Sequence, residues 1–335
     1  MIIKRNAVIL ILLITLIASC DNIKPYRVEE ALGTYCVITL YEKGKSAVYN
    51  DIFSKIRNIE NLMSVNIKTS DISRINDNAG IEKVLVDRET FKVIERALFF
   101  AELSGGAFDP TVGPLVTLWG IGRNARVPSQ EEIDEILPLI NWRNVELDAQ
   151  AGSVFLKQRG MALDLGAIAK GYAADEAANA AKNYNIKRAL IDLGGNIAAV
   201  GTNMENSPWR VGIQNPFKER GESLGYLQVT DKTVVTSGVY ERYFTADGKN
   251  YHHIFSPENG YPAQTGLLSV TIITGISMDA DALSTALFVM GFEDGIKLLE
   301  TMPQMEAVFV FEDKSIRTTG GVKFTLLDET FSLRK

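Results

Sequence analysis

A carboxylate and a hydroxyl lie four residues apart within residues 278–287, where Thr285 follows Asp281. On a helix, residues at this spacing share one face. Near a helix N-terminus such a pair suits Mg²⁺, which takes few protein ligands and completes its shell with phosphate oxygens. Asp279 is expected to cap the start of this helix. The alternative is a capped core helix whose hydroxyls face solvent, and the segment alone does not decide between the two.

A second candidate segment covers residues 163–172 and contains Asp164, Gly166 and Lys170. We expect a strand to end at Asp164 and the chain to bend at Gly166. The first N–H groups of the following helix would face this bend and could bind an anion. Lys170 could give a point charge to a phosphate, or it could pair with Asp164 in a purely structural contact. Both uses are compatible with the sequence.

Two further segments predict loops that could contact a ligand. Residues 106–114 contain two Gly and two Pro, which predicts a rigid loop, and Phe108 within it could support a flat ring. His253 lies in a second loop, where it could act as an acid–base group or contact a phosphate. Each loop, taken singly, could equally be structural.

The rarity of Cys and His limits the kind of metal that can bind. The chain has 335 residues but only Cys20, Cys36, His252 and His253. A structural zinc site needs about four nitrogen or sulfur ligands, so these residues cannot supply one, and a three-ligand catalytic zinc site is disfavoured. A bound metal is therefore expected to be a hard cation held by oxygen, such as Mg²⁺ or Ca²⁺.

The acidic charge balance argues against nucleic acid as a partner, because phosphate backbones require a basic surface. The formal net charge is −6, and removal of residues 1–19, which contain Lys4 and Arg5, makes it −8. A protein of this charge that handles phosphates must supply positive charge locally, through a metal or a few cations.

The N-terminus has the pattern of a lipoprotein signal peptide. Lys4 and Arg5 precede an apolar run of about 12 residues, too short to span a bilayer. Small residues before Cys20 resemble a bacterial lipobox, which implies cleavage before Cys20, removal of residues 1–19 and lipidation of Cys20. The alternative is a general secretory signal. Residues 20–27 would form a tether and residues 28–335 the folded domain. The lipid on Cys20 would anchor the protein to the membrane on the extracytoplasmic, periplasmic side.

Hydrophobic periodicity predicts the elements that must position these candidates. The predicted strands are 28–41, 189–200, 210–214, 224–229, 268–274, 307–311 and 322–327, and the predicted helices are 47–63, 90–104, 167–184 and 279–290. Strands and helices are mixed without regular βαβ alternation. The pattern therefore favours an α+β fold over a doubly wound sheet.

Taken together, the candidate segments resemble the ApbE family. The matching segments occur in order: Leu-Gly-Thr at 32–34, Ala-Phe-Asp-Pro-Thr at 107–111, residues 164–172 with Asp164 and Lys170-Gly-Tyr, Val-Thr-Ser-Gly at 235–238, His-Ile at 253–254, and Asp281 with Thr285. The resemblance extends over residues 28–321, which is nearly the whole chain after the predicted signal peptide.

This resemblance implies an α+β fold with curved, largely antiparallel sheets and packed helices. It also implies FAD:protein FMN transferase activity, in which FAD is split at its pyrophosphate and AMP leaves. FMN then forms a phosphoester with a Thr or Ser in a motif like Asp-Gly-x-[Ser/Thr]-Gly-Ala-Thr. Subunits of Rnf-type and Na⁺-pumping quinone reductase complexes are the implied acceptors.

The resemblance also assigns roles to individual residues. Mg²⁺ would be held by Asp281, Thr285 and the backbone carbonyl of Ala167. The residues expected to contact FAD are Leu32, Ala107, Phe108, Asp109, Asp164, Lys170, His253 and Ile254. The acceptor hydroxyl would lose its proton to a nearby carboxylate or to His253, and the sequence does not choose between them.

One departure from the family pattern suggests a side reaction. Asn66 occupies a position where some relatives carry an aromatic ring. A small polar group could leave room for water above the pyrophosphate, so Asn66 is a candidate for promoting hydrolysis of FAD to FMN and AMP. The alternatives to a transferase are therefore an FAD pyrophosphatase and a lipoprotein that only stores FAD.

Overall fold

The protein is described here by a computed structural model, which covers residues 26–42 and 46–334. The predicted signal peptide, Cys20 and most of the predicted tether lie outside these residues. The first strand begins at Tyr26, two residues before the predicted domain boundary. Among the described residues, no helix combines the length and apolar character needed to cross a bilayer.

The described residues form seventeen strands, most of them short. They are β1 (Tyr26–Ala31), β2 (Thr34–Leu40), β3 (Val84–Leu85), β4 (Val145–Asp148), β5 (Ser153–Leu156), β6 (Ala189–Leu193), β7 (Asn196–Val200), β8 (Trp209–Gln214), β9 (Ser223–Val229), β10 (Thr233–Gly238), β11 (Tyr243–Ala246), β12 (Lys249–His252), β13 (Leu267–Thr274), β14 (Glu306–Phe311), β15 (Ser315–Thr318), β16 (Phe324–Leu326) and β17 (Ser332–Arg334).

Eight α-helices accompany these strands in the described part of the chain. They are α1 (Ser46–Met63), α2 (Asp71–Asp77), α3 (Arg88–Leu103), α4 (Gly113–Trp119), α5 (Gln130–Ile136), α6 (Ala169–Asn183), α7 (Ser277–Met290) and α8 (Phe292–Glu300). Two 3₁₀ turns, Leu137–Leu139 and Trp142–Asn144, follow α5.

Nine strands form the central sheet, in the order β1-β2-β6-β7-β10-β13-β14-β15-β17. Every neighbouring pair is antiparallel except β15 and β17, which run parallel. A three-stranded sheet (β16-β9-β8), a second one (β3-β5-β4) and the hairpin β11-β12 complete the described strands. The predicted α+β class with largely antiparallel sheets is confirmed.

The two faces of the central sheet are covered by different layers. One face packs against the long helices, and its core includes Ile52 of α1, Phe100 of α3 and Leu283 of α7. The other face packs against β8 and β9 through a smaller core that includes Trp209 and Leu227. Burial of apolar surface on both faces drives this layering, at roughly 25 cal/mol per Å² of apolar surface.

Two predicted strands are in fact hairpins. The predicted strand 28–41 is interrupted at Leu32 and Gly33, whose φ angles are +56° and +67°, and the chain reverses from β1 to β2. The predicted strand 189–200 reverses at Gly194 and Gly195 with φ angles of +64° and +98°. Positive φ at both turn residues matches the right-handed twist of the flanking strands, which is why such pairs make tight hairpins.

The two helices that carry the candidate site differ from prediction at their starts. α6 begins at Ala169 rather than 167, and α7 begins at Ser277 rather than 279. The prediction that Asp279 caps α7 is wrong. The N–H groups of Ser277 and Met278 donate instead to Asp175 of α6, at 2.8 and 2.9 Å.

Candidate active site

The site is built at a close contact between the first turns of α6 and α7. A Cβ atom placed on Gly171 would lie 2.3 Å from the carbonyl oxygen of Ser277 and 2.7 Å from Cα of Met278. Those atoms belong to the backbone and cannot move aside locally, so this position requires glycine. The close contact brings the first turn of α7 against the first turn of α6.

This contact brings a backbone hydrogen-bond donor of α6 to the Asp281 carboxylate. The Asp281 side chain is 5% exposed, and its Oδ2 accepts a hydrogen bond from the Gly171 N–H at 3.0 Å. Its Oδ1 lies 3.5 Å from Nζ of Lys170, whose side chain is 23% exposed. The ammonium also donates to the carbonyl oxygen of Gly166 at 2.8 Å. A buried carboxylate is stable here because it has an N–H donor and a cation as partners.

The hydrogen bond to Asp281 changes the backbone at the start of α6. In a regular helix the Gly171 N–H would donate to the carbonyl oxygen of Ala167, four residues earlier. Since that N–H donates to Asp281, no described residue donates to the Ala167 carbonyl oxygen. The carbonyl oxygen therefore keeps its lone pairs available at the start of α6, where the Gly171 N–H donates to Asp281.

Thr285 lies one helical turn after Asp281 on α7 and is half-buried. Its Oγ1 is 3.0 Å from Oγ of Ser237 on β10. Asp281, Thr285 and the Ala167 carbonyl thus offer only oxygen atoms, the ligand type that Mg²⁺ prefers. Within residues 26–42 and 46–334 there is no cluster of three or more His, Cys, Asp and Glu that could hold a metal ion. A cation held at this site would therefore take hydroxyl, backbone and ligand oxygens besides the one carboxylate.

Asp164 lies next to this group but does not pair with Lys170. Its Oδ1 accepts the Gly166 N–H at 2.7 Å, which shapes the turn that leads into α6. The predicted strand before it is reduced to an isolated bridge between Val112 and Ala162. The local Asp–Lys pair expected as the structural alternative is wrong, because Lys170 contacts Asp281 instead.

The loop around Ala107, Phe108 and Asp109 adjoins this turn, since the Asp164 N–H donates to the Pro110 carbonyl oxygen at 2.9 Å. Phe108 is 4% exposed and belongs to the main core, so its ring cannot support a flat ligand ring without moving. Asp109 is also buried, and Thr111 and the Trp142 N–H occupy its carboxylate. Burial raises the pKa of Asp109, although these hydrogen bonds oppose the shift. A ligand can reach mainly the half-exposed backbone near Ala107.

A second group of predicted residues meets at Arg242, which the sequence analysis did not identify. Nη2 of Arg242 lies 3.4 Å from the carbonyl oxygen of Gly33, next to Leu32 in the β1–β2 turn. The Arg242 carbonyl oxygen lies 3.1 Å from both the backbone N and the ring Nδ1 of His253. Because a carbonyl only accepts, Nδ1 carries the proton, and Nε2 of the neutral ring is left as an acceptor. Leu32 is fixed separately by a hydrogen bond from its N–H to Glu60.

His252 and Ile254 support this loop from within. The two ring nitrogens of His252 bond to the Ala263 carbonyl and the Ile254 N–H, at 3.0 and 3.3 Å, so this histidine is structural. Ile254 is 5% exposed, and its carbonyl accepts the Ala263 N–H. Its contact with a ligand would therefore have to use the small exposed part of its side chain.

Asn66 is the most solvent-exposed of the predicted site residues that the structure describes. It is exposed on the loop after α1, and its N–H bonds to Oγ of Ser64 at 3.2 Å. Among the described residues, none of the other site candidates forms a hydrogen bond with it.

Arg242, Asp175 and Ser237 also contribute to the site, although they were not predicted from the sequence. Ser237 lies inside the family-like segment 235–238, so the resemblance could have identified it as a site residue. The Arg242 guanidinium contacts the Gly33 carbonyl oxygen, and Asp175 accepts the Ser277 N–H. These partners are far away in the chain, and no local pattern marks such contacts.

His253 should remain neutral well below pH 6. Burial lowers its pKa to about 4, and the positive charges of Arg242 and Lys170 add to the effect, while the hydrogen bond to the Arg242 carbonyl opposes it. Between pH 4 and 6.5 the folded protein then binds fewer protons here than the unfolded chain, so this residue makes the free energy of unfolding rise with pH. We expect an imidazole NMR titration midpoint near pH 4.

The signals can be assigned with a His253→Asn variant, in which only His252 remains. Arg242→Gln removes one of the nearby charges and should raise the midpoint of His253. A midpoint at or above the ordinary pKa of about 6.5 would contradict this account of the site.

Comparison with known proteins agrees with this architecture. The ApbE family profile matches residues 32–309. An FAD:protein FMN transferase of Treponema pallidum is 38% identical over 98% of this chain and 97% of its own length. One from Klebsiella pneumoniae is 37% identical over 90% of this chain and 94% of its own.

Solved structures of the same fold are also similar. The ApbE protein of Thermotoga maritima superposes with a TM-score of 0.79 at 36% identity, covering 90% of this chain and 96% of that one. The flavin transferase ApbE of Vibrio cholerae gives 0.78 at 28% identity, covering 91% and 97%. The chain therefore belongs to the ApbE family.

Proposed function

We propose that this protein transfers FMN from FAD to a Thr or Ser side chain of an acceptor protein and releases AMP, with Mg²⁺ at the α6–α7 contact. The observation that carries the proposal is the buried Asp281 carboxylate, held by the Gly171 N–H and Lys170 beside Thr285. Relatives that share more than a third of their residues with this chain are named for this activity.

The residues present fit Mg²⁺ by their chemistry. Asp281, Thr285 and the Ala167 carbonyl provide a single carboxylate and two neutral oxygens, which leaves coordination positions for ligand phosphates. Bound there, Mg²⁺ would neutralise the pyrophosphate and stabilise the charge that develops on its oxygens. Lys170 adds a second positive charge next to the same carboxylate, so an acidic protein can still accept a polyanion.

The remaining site residues would orient the two substrates. The β1–β2 turn at Leu32 and the loop at Ala107 present backbone groups to FAD, while Arg242 brings a further cation to the side where His253 lies. Nε2 of His253 can accept the proton of the acceptor hydroxyl. Its low pKa in the free protein makes it a weak base, and the negative charge of a bound pyrophosphate would raise that pKa. Acceptors of the proposed activity are subunits of Rnf-type and Na⁺-pumping quinone reductase complexes.

Replacement of Asp281 by Ala should abolish transfer at any Mg²⁺ concentration, because it removes the one carboxylate of the site. The purified mature protein is incubated with FAD, Mg²⁺ and a peptide bearing the acceptor motif, and peptide mass and released AMP are measured. A peptide mass gain equal to FMN minus one water supports transfer, and release of AMP without that gain supports hydrolysis. If neither the gain nor AMP is observed, the result supports storage of FAD.

Asp294→Ala is the matched control, since Asp294 is an exposed acid of α8 that pairs only with Lys297 in the described structure. Thermal unfolding of both variants reports whether the fold persists. Transfer by a folded Asp281→Ala protein would refute the proposed ligand role.

Hydrolysis of FAD is a second candidate activity, favoured by the exposed, small side chain of Asn66. A ring at this position would exclude water from the pyrophosphate, so Asn66→Tyr should release AMP from FAD more slowly than wild type when no acceptor is present. Asn183→Tyr, at the exposed end of α6, serves as a control for a surface aromatic. Equal rates in Asn66→Tyr and wild type would count against this role.

We also propose that the protein is held at the membrane by a lipid on Cys20, on the extracytoplasmic side. The support is the sequence alone: a basic start, a short apolar run and small residues before the cysteine. In a Cys20→Ser variant of the full chain, labelled fatty acid should no longer be incorporated, because the acceptor thiol is gone. Unchanged labelling would disprove the anchor.

A further inference from the structure

A chain of hydroxyl groups connects Thr285 to the backbone of its own helix through a neighbouring strand. Oγ of Ser237 on β10 lies 3.0 Å from Oγ1 of Thr285 and 2.8 Å from Oγ of Ser284. Ser284 in turn donates to the carbonyl oxygen of Asp281 at 2.9 Å. Ser284 is fully buried, and Ser237 and Thr285 are half-buried, so water competes little for these groups.

The number of protons fixes the direction of this chain. Each hydroxyl has one proton to donate, and a carbonyl oxygen can only accept. Ser284 gives its proton to the Asp281 carbonyl, so the bond between the two serines must use the proton of Ser237. Ser237 then has none left, and the bond to Thr285 must use the Thr285 proton. The order of donation is therefore Thr285 to Ser237 to Ser284 to Asp281.

This direction determines what Thr285 can offer to a ligand. A hydroxyl that coordinates a cation does so through an oxygen lone pair, and its proton must point away from the positive charge. Ser237 accepts that proton from the side of β10, so the proton does not block the oxygen lone pairs that a cation would use. We infer that Ser237 is a positioning residue that orients the Thr285 hydroxyl as a Mg²⁺ ligand.

The inference rests on the proposed Mg²⁺ site but adds a residue that does not itself touch the metal. Without Ser237, no described residue accepts the Thr285 proton, so nothing holds the hydroxyl in one rotamer. The hydroxyl would then rotate away from its coordinating orientation. Partners of this kind, one shell away from a metal, typically change metal affinity about 10- to 100-fold.

The proposal is tested by metal affinity rather than by turnover. Mn²⁺ binding to the full mature chain is followed by electron paramagnetic resonance, and Mg²⁺ competition gives the Mg²⁺ dissociation constant. We expect Ser237→Ala to weaken Mg²⁺ binding by about 10-fold or more. Ser284→Ala should also weaken Mg²⁺ binding, because Ser237 is then free to donate its proton to the Thr285 oxygen. Ser284 itself does not contact Thr285 in the hydroxyl chain.

The matched control is Thr236→Val, which removes a hydroxyl from the adjacent residue of the same strand. Thr236 bonds to Thr271 of β13 at 2.8 Å and is not part of the chain that reaches Thr285. Its Mg²⁺ affinity should equal that of wild type. Thermal unfolding in the presence of a chelator checks that each variant is folded without metal.

A double-mutant cycle separates orientation from general packing. In a Thr285→Ala background the hydroxyl to be oriented is gone, so Ser237→Ala should cause no further loss of affinity. An equal loss in both backgrounds would overturn the proposal, as would wild-type affinity of Ser237→Ala while Asp281→Ala abolishes binding. Retention of Mg²⁺ binding by Asp281→Ala would overturn the proposed metal site itself, and the role of Ser237 with it.

Discussion

The contact between the first turns of α6 and α7 is the interaction on which the rest of the site depends. It exists because Gly171 has no side chain, and a methyl group there would lie 2.3 Å from a carbonyl oxygen. Close approach lets the Gly171 N–H reach Asp281, which in turn leaves the Ala167 carbonyl without its helical donor. A single steric condition thus prepares both a carboxylate and a backbone oxygen for the same ligand.

Several long-range contacts hold α7 in this position. Asp175 of α6 accepts the N–H groups of Ser277 and Met278, and burial raises its pKa to about 6, so it is charged at neutral pH. Asp279 is 2% exposed and forms two hydrogen bonds with Arg96 of α3, at 2.7 and 2.6 Å. Because Arg96 is 32% exposed, loss of this cation should cost at most the roughly 3–5 kcal/mol typical of a fully buried ion pair. The two acids of α7 are therefore matched to separate cations, Asp279 to Arg96 and Asp281 to Lys170.

Local spacing was enough to predict part of this site. The Asp281–Thr285 pair follows from helical periodicity, and the Gly166 bend before α6 follows from local turn chemistry. The contacts of Asp279 and Asp175 could not be predicted, because either carboxylate could accept the N–H groups at the start of α7. Asp279 instead pairs with Arg96, 183 residues away in the chain, and Asp175 accepts those N–H groups. Lys170 likewise had a local candidate in Asp164 but pairs with Asp281, 111 residues later. The hairpins were missed because β-branched residues on both sides of a glycine resemble one long strand.

The edge strand β1 limits how far the site can lie from the N-terminal segment. Its six residues rise about 3.3 Å each, so Tyr26 and the turn at Leu32 are separated by roughly 20 Å of rigid, paired backbone. The chain from Cys20 to Pro25 can add at most about 3.6 Å per residue, or roughly another 20 Å. If Cys20 carries the proposed lipid, the Leu32 turn stays within roughly 40 Å of the bilayer surface. An acceptor protein of any size must then present its threonine near the Leu32 turn, within that distance of the bilayer surface.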